Sequence, residues 1–375
     1  MDLGLSEEQQ MLREFARDFL EKECPESYVR QMEEDEHGYS PDVWRKIGEQ
    51  GWTGLMIPEA YGGAGMGFLD LMVLTEELGR ALTPGPFLPT CIAAIALLAA
   101  ANEAQKQEYL PRIATGEQIW TLAFTEPSAR FDAEGVNLSA TRDGGDYILN
   151  GAKLFVRDSH VSDMMVVVAR TSGTGEDGIS LFAVNSKAPG VTHTLIPTIA
   201  SDRQTEIRFE NVRVPAANLL GEEGRAWPVL QGIVNKATVL ESTYLVGLSQ
   251  MAFDITLEYT KERLQFDRPI ATFEALQHMA ADMAAEVDGS RQITYRAAWA
   301  AHDGEPNEDE LVSIAKAWTS DASRRVVARA QQMHGGIGFT KDYKIQLYFR
   351  RQKAAELAWG DADFHRERVG QALGI

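Results

Sequence analysis

Apolar residues recur with a helical period in the first and last thirds of the chain. Ser6 and Gln9 form the residue pair of an N-terminal capping box, and apolar positions then follow at spacings of three and four, namely Met11, Leu12, Phe15, Ala16, Phe19 and Leu20. Helical patterns also cover residues 68–82 and about 92–113, and three long ones cover about 227–262, 273–302 and 309–334. The last three are separated by short loops and predict an antiparallel bundle.

The pattern of the middle third is different. Four short segments, residues 146–151, 164–169, 179–184 and 205–209, are rich in β-branched or aromatic residues and are separated by Gly, Asp, Asn and Pro. Because helices, strands and helices come in separate blocks, the fold class is predicted to be mainly α with a central β domain, not a doubly wound sheet. The predicted domains are residues 1–118, 119–226 and 227–375.

An excess of acidic residues restricts the possible partners. Asp and Glu number 55 against 36 Lys and Arg, which gives a net charge of −19. This charge repels nucleic acid and anionic membranes, since no basic patch interrupts the sequence. Cys24 and Cys91 match no metal or redox spacing, and the seven histidines form no ligand cluster. We therefore expect no metal site and a reducing compartment.

The sequence shows no targeting or membrane signal. The first ten residues lack the basic start and apolar run of a secretory signal, and the longest apolar run, residues 91–101, is about half of what a bilayer requires. We therefore expect a cytoplasmic protein.

Two glycine clusters are candidates for nucleotide binding. Residues 63–67 do not complete G-x-G-x-x-G and follow no convincing strand, which favours a plain turn. Residues 335–339 follow a helical pattern and by themselves indicate a helix C-cap and turn.

Other motifs accompany these glycines in a fixed order. They are Pro58-Glu59-Ala60-Tyr61-Gly62-Gly63, Thr125-Glu126-Pro127 with Asp132, Leu149-Asn150-Gly151-Ala152-Lys153, Arg263-Leu264-Gln265-Phe266 with Pro269-Ile270, Phe273 and Gln277, and Gln332-Met333-His334-Gly335-Gly336-Ile337-Gly338-Phe339. Taken together, they resemble the acyl-CoA dehydrogenase family along essentially the whole chain. The resemblance implies a helical N-terminal domain, a middle β-barrel domain and a C-terminal four-helix bundle.

The resemblance also implies a cofactor, FAD, between the β domain and the bundle, with its adenine and pyrophosphate reaching a neighbouring subunit. Matched position by position, the resemblance places Phe124, Thr125 and Phe155 near the flavin ring. Phe155 takes the place of the family's usual tryptophan. The resemblance places Arg263, Gln265 and Phe266 at the pyrophosphate and adenine. Gln332, Gly335 and Gly336 of another protomer would contact the same part of the cofactor. Asp361 matches a further FAD contact. The alternative is that Arg263 caps a helix end and Phe266 fills the core.

Family chemistry removes the α-proton of an acyl-CoA with a carboxylate while the β-hydride passes to flavin N5. The position of the usual glutamate is occupied here by Trp359, and the alternative family position by Ala237. Glu241 lies one helical turn further, within a mostly apolar stripe, where desolvation would make it a stronger base. It is the candidate base. The alternatives are a structural ion pair for Glu241, or Asp361 or Asp363 as the base.

Other departures from the family pattern concern the substrate. Arg130 and Arg157 could pair with the carboxylate of a dicarboxylic acyl chain, although ordinary surface or interface roles are the alternative. Trp359 retains a backbone N–H that could polarise the thioester carbonyl. Thr238 replaces an arginine commonly found near the CoA end.

Three functions follow from this resemblance. The first is a dehydrogenase of a branched, cyclic, dicarboxylic or otherwise bulky acyl-CoA that passes electrons to an electron-transfer flavoprotein, as a homo-oligomer or a heterotetramer with a homologous subunit. The second is a partner subunit that completes FAD sites without being catalytic. The third is a scaffold that keeps the fold without flavin.

Overall fold

The computed structural model describes residues 4–375, and within them the chain is mainly helical with one large sheet. The helices are α1 (Glu7–Glu23), α2 (Glu26–Glu34), α3 (Pro41–Glu49), α4 (Phe68–Ala81), α5 (Phe87–Ala100), α6 (Glu103–Ala114), α7 (Trp227–Glu262), α8 (Glu274–Asp303), α9 (Glu308–His334), α10 (Ile345–Leu357) and α11 (Ala362–Leu373). The fold class predicted from the sequence is confirmed. The described helices include none that is both long and apolar enough to cross a membrane.

The strands are β1 (Trp120–Ala123), β2 (Ser139–Asp143), β3 (Asp146–Arg157), β4 (Met164–Arg170), β5 (Ile179–Asn185), β6 (Val191–Ile196), β7 (Gln204–Pro215), β8 (Leu219–Leu220), β9 (Leu264–Gln265) and β10 (Arg268–Pro269). The first eight form one sheet in the order β6-β7-β3-β2-β4-β5-β8, and β1 pairs in parallel with β4. The last two form a separate hairpin.

The chain divides into two compact units. One comprises residues 4–31, Phe68–Thr83 and Asn235–Ile375, and the other comprises Met32–Gly67 and Pro84–Val234. We call them the helical unit and the sheet unit. The sheet unit has a core of residues from β1 to β7, among them Tyr147 and Phe182, whose rings lie 4.9 Å apart edge to face.

The core of the helical unit joins α7, α8, α9 and α10. Its members include Leu248, Met283, Val326 and Leu347, all at most 2% exposed. Gly79 on α4 and Gly247 on α7 allow these helices to approach unusually closely. A Cβ on Gly79, for example, would lie 2.1 Å from the carbonyl oxygen of Tyr244. The long apolar patterns of the sequence therefore become the walls of one helical bundle.

Local sequence rules located the long helices and the main strands, but missed several shorter elements. The capping box of Ser6 and Gln9 is present at the start of α1, as predicted. The prediction of one helical stretch over residues 92–113 is wrong, because Asn102 caps a new helix through Gln105 and separates α5 from α6. Six strands, β1, β2, β6, β8, β9 and β10, were not predicted, and β3 and β7 extend beyond the segments expected from composition.

Candidate active site

A buried ion pair fixes the segment of the sheet unit that follows β1. Lys153 Nζ lies 2.7 Å from Glu126 Oε1 and donates to the carbonyl of Phe124 at 3.0 Å, and the Lys153 side chain is fully buried. Glu126 also accepts hydrogen bonds from the backbone N–H groups of Asn137 at 2.8 Å and Leu138 at 3.0 Å. The pair thus joins three segments of chain at the end of β1.

Burial governs the charge state of this lysine. Removal from water lowers the pKa of Lys153 to about 8, and the Glu126 carboxylate acts in the opposite direction. The backbone is tied at the same place, since Leu154 N–H donates to the Thr125 carbonyl at 2.8 Å. Phe124 is 3% exposed and its ring packs against Phe131. The segment that carries Phe124 and Thr125 is therefore rigidly held.

Phe155 is presented outward by an irregularity of β3. The register between β3 and β7 shifts between Lys153 and Val156, and Phe155 adopts a left-handed φ of +55° there. The side chain is 49% exposed. A non-glycine residue in this conformation, with a large apolar side chain in solvent, is a local irregularity typical of binding sites.

The two arginines considered for substrate binding lie in different surroundings. Arg130 is exposed and forms ion pairs with Asp132 at 2.6 Å and Glu134 at 2.8 Å. Its guanidinium therefore already has carboxylate partners in its own chain, and a substrate carboxylate would have to displace them. Arg157 is partly buried at the end of β3, and its carbonyl accepts a hydrogen bond from Thr121 Oγ1 at 2.8 Å.

In the helical unit, a short hairpin follows α7 and projects an aromatic side chain. Phe266 and Asp267 form its two-residue turn with φ of +53° and +61°, between paired Gln265 and Arg268. Phe266 is 86% exposed, and Arg263, at the base of the hairpin, is exposed as well. The alternative that Phe266 fills the core is therefore wrong.

The glycine segment after α9 leaves backbone open to a ligand. Gly335 has φ +64° and ψ −142°, a conformation available essentially to glycine alone. A Cβ on Gly335 or Gly336 would meet nothing, whereas a Cβ on Gly338 would lie 2.7 Å from the Gln331 carbonyl oxygen. Gly338 is thus required by packing. Gly335, Gly336 and the exposed Gln332 face open space.

The Trp-Gly-Asp segment connects α10 to α11. Trp359 has φ +61° and Gly360 has φ +98°, and a Cβ on Gly360 would lie 2.3 Å from the Phe364 ring. Asp361 caps α11 through a hydrogen bond from Phe364 N–H at 2.9 Å. Asp363 is exposed and paired with Arg366 at 2.6 Å. Of the two aspartates, Asp361 has a clear structural role, and its contact with a cofactor stays a prediction.

Glu241 lies on α7 with no exposed surface, next to Ser242 and Thr243, which also have none. Ala237, one turn before it, is fully buried too. The desolvation that the sequence predicted for this carboxylate is present. Its role as base stays a prediction.

Sequence reasoning missed several buried polar residues around these motifs. Lys153 was part of a motif but received no role, and Lys316 and His365, both fully buried, were not singled out. A signal existed for Lys316, because the residues one turn before and after it, such as Ser313 and Ser320, are small and uncharged. A lysine on such a face indicates a buried ammonium.

Comparisons with known proteins agree along the whole chain. Residues 6–117 match the N-terminal domain of acyl-CoA dehydrogenases, residues 121–212 the middle domain and residues 224–374 the C-terminal domain. A probable acyl-CoA dehydrogenase of Bacillus subtilis is 34% identical over 385 residues, which cover 100% of both chains. The cyclohex-1-ene-1-carbonyl-CoA dehydrogenase of Geobacter metallireducens is 33% identical, with 98% of both chains covered.

A solved structure agrees equally well. The chain superposes on one chain of the ChsE4-ChsE5 complex of Mycobacterium tuberculosis with a TM-score of 0.91 and 27% identity, over 100% of this chain and 99% of that one. Helical and sheet units with these motifs define a dehydrogenase fold of the flavin-using kind. The chain belongs to the acyl-CoA dehydrogenase family and is an oxidoreductase of that family.

Proposed function

We propose that this chain introduces an α,β double bond into a branched, cyclic, dicarboxylic or otherwise bulky acyl-CoA with FAD as its cofactor. The observation that carries the proposal is the set of irregular, open positions at the family's flavin motifs. Phe155 and Phe266 are exposed aromatics held in left-handed backbone, and Gly335 and Gly336 leave their backbone accessible. Such features are costly unless a ligand uses them.

The residues present fit a dinucleotide of this type. Phe124, Thr125 and Phe155 would line the flavin ring, Arg263, Gln265 and Phe266 would meet pyrophosphate and adenine, and Gln332, Gly335 and Gly336 would do so from another protomer. Arg263 offers a charged fork to phosphate, and the two glycines let the backbone approach it. A bound flavin supplies the hydride acceptor, and the chain supplies orientation and proton transfer.

Glu241 is the proposed base. Its carboxylate is desolvated and would take the α-proton of the substrate once the acyl chain reaches it. Trp359 cannot act as a base, but its backbone N–H donates to no acceptor in the described chain and would bind the thioester oxygen. That hydrogen bond would acidify the α-carbon by stabilising negative charge on the oxygen.

One specific observation favours a second function. Trp359 stands at the position of the family's usual base, and the structural relative from Mycobacterium tuberculosis is a complex of two named components. A partner subunit would complete the FAD site of a homologous chain without itself removing a proton. The flavin-free scaffold is disfavoured by the open phosphate-binding positions at Arg263, Gly335 and Gly336.

Purification and anaerobic titration test these functions together. A yellow oligomer whose flavin is bleached by one member of a panel of branched, alicyclic and dicarboxylic CoA esters supports the enzyme. Flavin that is retained only after co-expression with a homologous chain supports the partner subunit. A colourless homomer that binds no added FAD would overturn both.

Reoxidation by an electron-transfer flavoprotein then tests the proposed electron acceptor, and fractionation of cells tests the cytoplasmic location.

A further inference from the structure

Two fully buried side chains hold the backbone on either side of the Trp359 peptide. Lys316 Nζ, on α9, donates to the carbonyl oxygens of Ala355 at 3.0 Å and Glu356 at 2.7 Å. His365 Nε2, on α11, forms a 3.0 Å hydrogen bond with the carbonyl oxygen of Trp359. Lys316 and His365 are both 0% exposed.

The lysine occupies the C-terminal end of α10. The last carbonyls of a helix lack intrahelical partners and form the negative end of its dipole, so an ammonium there satisfies and stabilises them. Its remaining donor reaches Ser320 Oγ at 3.1 Å. These three hydrogen bonds offset the burial of the ammonium and fix the backbone at this helix end.

The histidine acts as a single neutral donor. Burial and the nearby Lys316 charge lower the pKa of His365 to about 3. Nδ1 is buried and has no partner in the described chain, while Nε2 faces a carbonyl, so the hydrogen of the neutral ring lies on Nε2. The ring therefore holds the Trp359 carbonyl in one orientation.

Together these contacts restrict the Trp359 peptide from both sides. The end of α10 is held up to Ala358, whose N–H donates to Ala354 at 3.2 Å, and the carbonyl of Trp359 is held by His365. Between them the Trp359 N–H donates to no acceptor in the described chain. The donor is free, and its direction is set by residues other than Trp359.

We propose that Lys316 and His365 are positioning residues that aim the Trp359 N–H at the carbonyl oxygen of a bound acyl thioester. The inference rests on the proposed function. It explains how the site polarises its substrate although the side chain at position 359 is an indole, because the backbone donor is fixed by α9 and α11.

The first test follows the peptide itself by hydrogen–deuterium exchange of residues 355–361. Lys316→Met and His365→Leu each remove donors and should raise exchange in this segment at least tenfold, with or without flavin. His365→Gln keeps a donor near the Nε2 position and should restore slow exchange. Lys353→Met is the matched control, because Lys353 lies on α10 and pairs with the Glu356 side chain at 2.8 Å, not with the backbone.

The second test reads polarisation of a bound ligand. Cinnamoyl-CoA is a conjugated thioester whose absorption moves to longer wavelength when a donor binds its carbonyl oxygen. The flavin-loaded wild type and Lys353→Met should show this shift. Lys316→Met and His365→Leu should lose more than half of it and bind the probe at least tenfold more weakly, and His365→Gln should recover it.

The outcomes separate this inference from the proposed function. A wild type that shifts the probe, with Lys316→Met and His365→Leu that shift it equally, would overturn the positioning role and leave the function standing. A wild type that binds neither this probe nor any CoA ester of the panel would overturn both. If Lys316→Met does not fold, the comparison of His365→Leu with His365→Gln decides whether the buried donors position the Trp359 N–H.

Discussion

Two buried glutamates illustrate how the surroundings of a residue assign its role. Glu126 accepts hydrogen bonds from Lys153 and from two backbone N–H groups, so its oxygens are committed to holding the chain. Glu241 is buried beside Ser242 and Thr243 of α7, one helical turn beyond Ala237, which matches the alternative family position of the base. Glu126 therefore stabilises structure, whereas the role of Glu241 in proton transfer stays a proposal that a single substitution can test.

Glu241→Gln should separate cofactor binding from chemistry. The amide keeps the size of the side chain but cannot accept the α-proton, so flavin should bind normally while its reduction by substrate slows about 10²- to 10⁴-fold. Stopped-flow absorbance under anaerobic conditions measures this rate. Asp363→Asn, at an exposed position, is the control and should react like wild type. Unchanged reduction in Glu241→Gln would exclude it as the base.

Lys153→Met should destabilise the protein more than the double variant with Glu126→Gln. Loss of one partner leaves a buried carboxylate unpaired, at about 3–5 kcal/mol in the free energy of unfolding, whereas a neutral pair removes that charge. Urea unfolding of the three proteins measures the difference. A double variant as unstable as Lys153→Met would show that Glu126 is not the cause.

The same lysine predicts a pH dependence of stability. Its pKa is about 8 in the folded chain against 10.5 for the free side chain, so between these values the unfolded state binds more protons. The free energy of unfolding of wild type should therefore rise with pH relative to the double variant between about pH 8 and 10.5, by at most about 1.4 kcal/mol per unit. Urea titrations across this range give the slope, and a falling relative stability would contradict the assignment.

At the scale of elements, close contact between α4 and α7 explains why glycines interrupt otherwise apolar helices. A Cβ on Gly247 would lie 1.8 Å from the Glu76 carbonyl oxygen, and one on Gly79 would meet the Tyr244 carbonyl oxygen. The two helices approach backbone to backbone at these points. Glu76 in turn accepts hydrogen bonds from Arg291 and Tyr295 on α8, which ties a third helix to the crossing.

Gly247→Ala and Gly232→Ala form a matched pair on α7. The first should lower the free energy of unfolding by about 3 kcal/mol, because α4 must move to admit the methyl group. The second meets nothing within 4 Å and should be neutral or stabilising by up to about 1 kcal/mol, since alanine favours helices. Thermal and urea unfolding compare them. Equal effects would mean that the helices do not pack this closely.

At the scale of the whole molecule, the exposed hairpin tip suggests an incomplete site in the isolated chain. Phe266 is 86% exposed and Leu264 is 58% exposed, although both are large and apolar. Under the proposed function, this region forms part of a cofactor site shared between protomers. A net charge of −19 opposes nonspecific association through these apolar side chains in the absence of a partner or a ligand.

Phe266→Ser should weaken flavin retention and assembly without unfolding the chain. The side chain is 86% exposed and its ring lies 6.1 Å from that of Phe273, so helical content and melting temperature should change little. Light scattering should show smaller oligomers, and dialysis should remove FAD at least tenfold faster. Phe15→Ser, 50% exposed on α1, is the control and should keep both properties. Intact assembly and flavin retention in Phe266→Ser would refute the shared-site interpretation.

The sequence by itself determined the segregation of helices and strands, the capping box of α1 and the identity of the family. These depend on periodicity, cap chemistry and short motifs, which are local properties of neighbouring residues. Local reasoning also placed Glu241 on a buried helix face. It failed at Asn102, because residues that favour helices stand on both sides of this cap and helical periodicity alone does not show the break.

Only the tertiary structure decided what the buried polar residues do. Lys153 pairs with Glu126, 27 positions away in the sequence, and Lys316 donates to the end of α10, 40 positions away. The exposure of Phe155 and Phe266 likewise depends on backbone irregularities that composition does not encode. A hydrogen bond or a free backbone donor is a relation between distant segments, so it exists only once packing has brought those segments together.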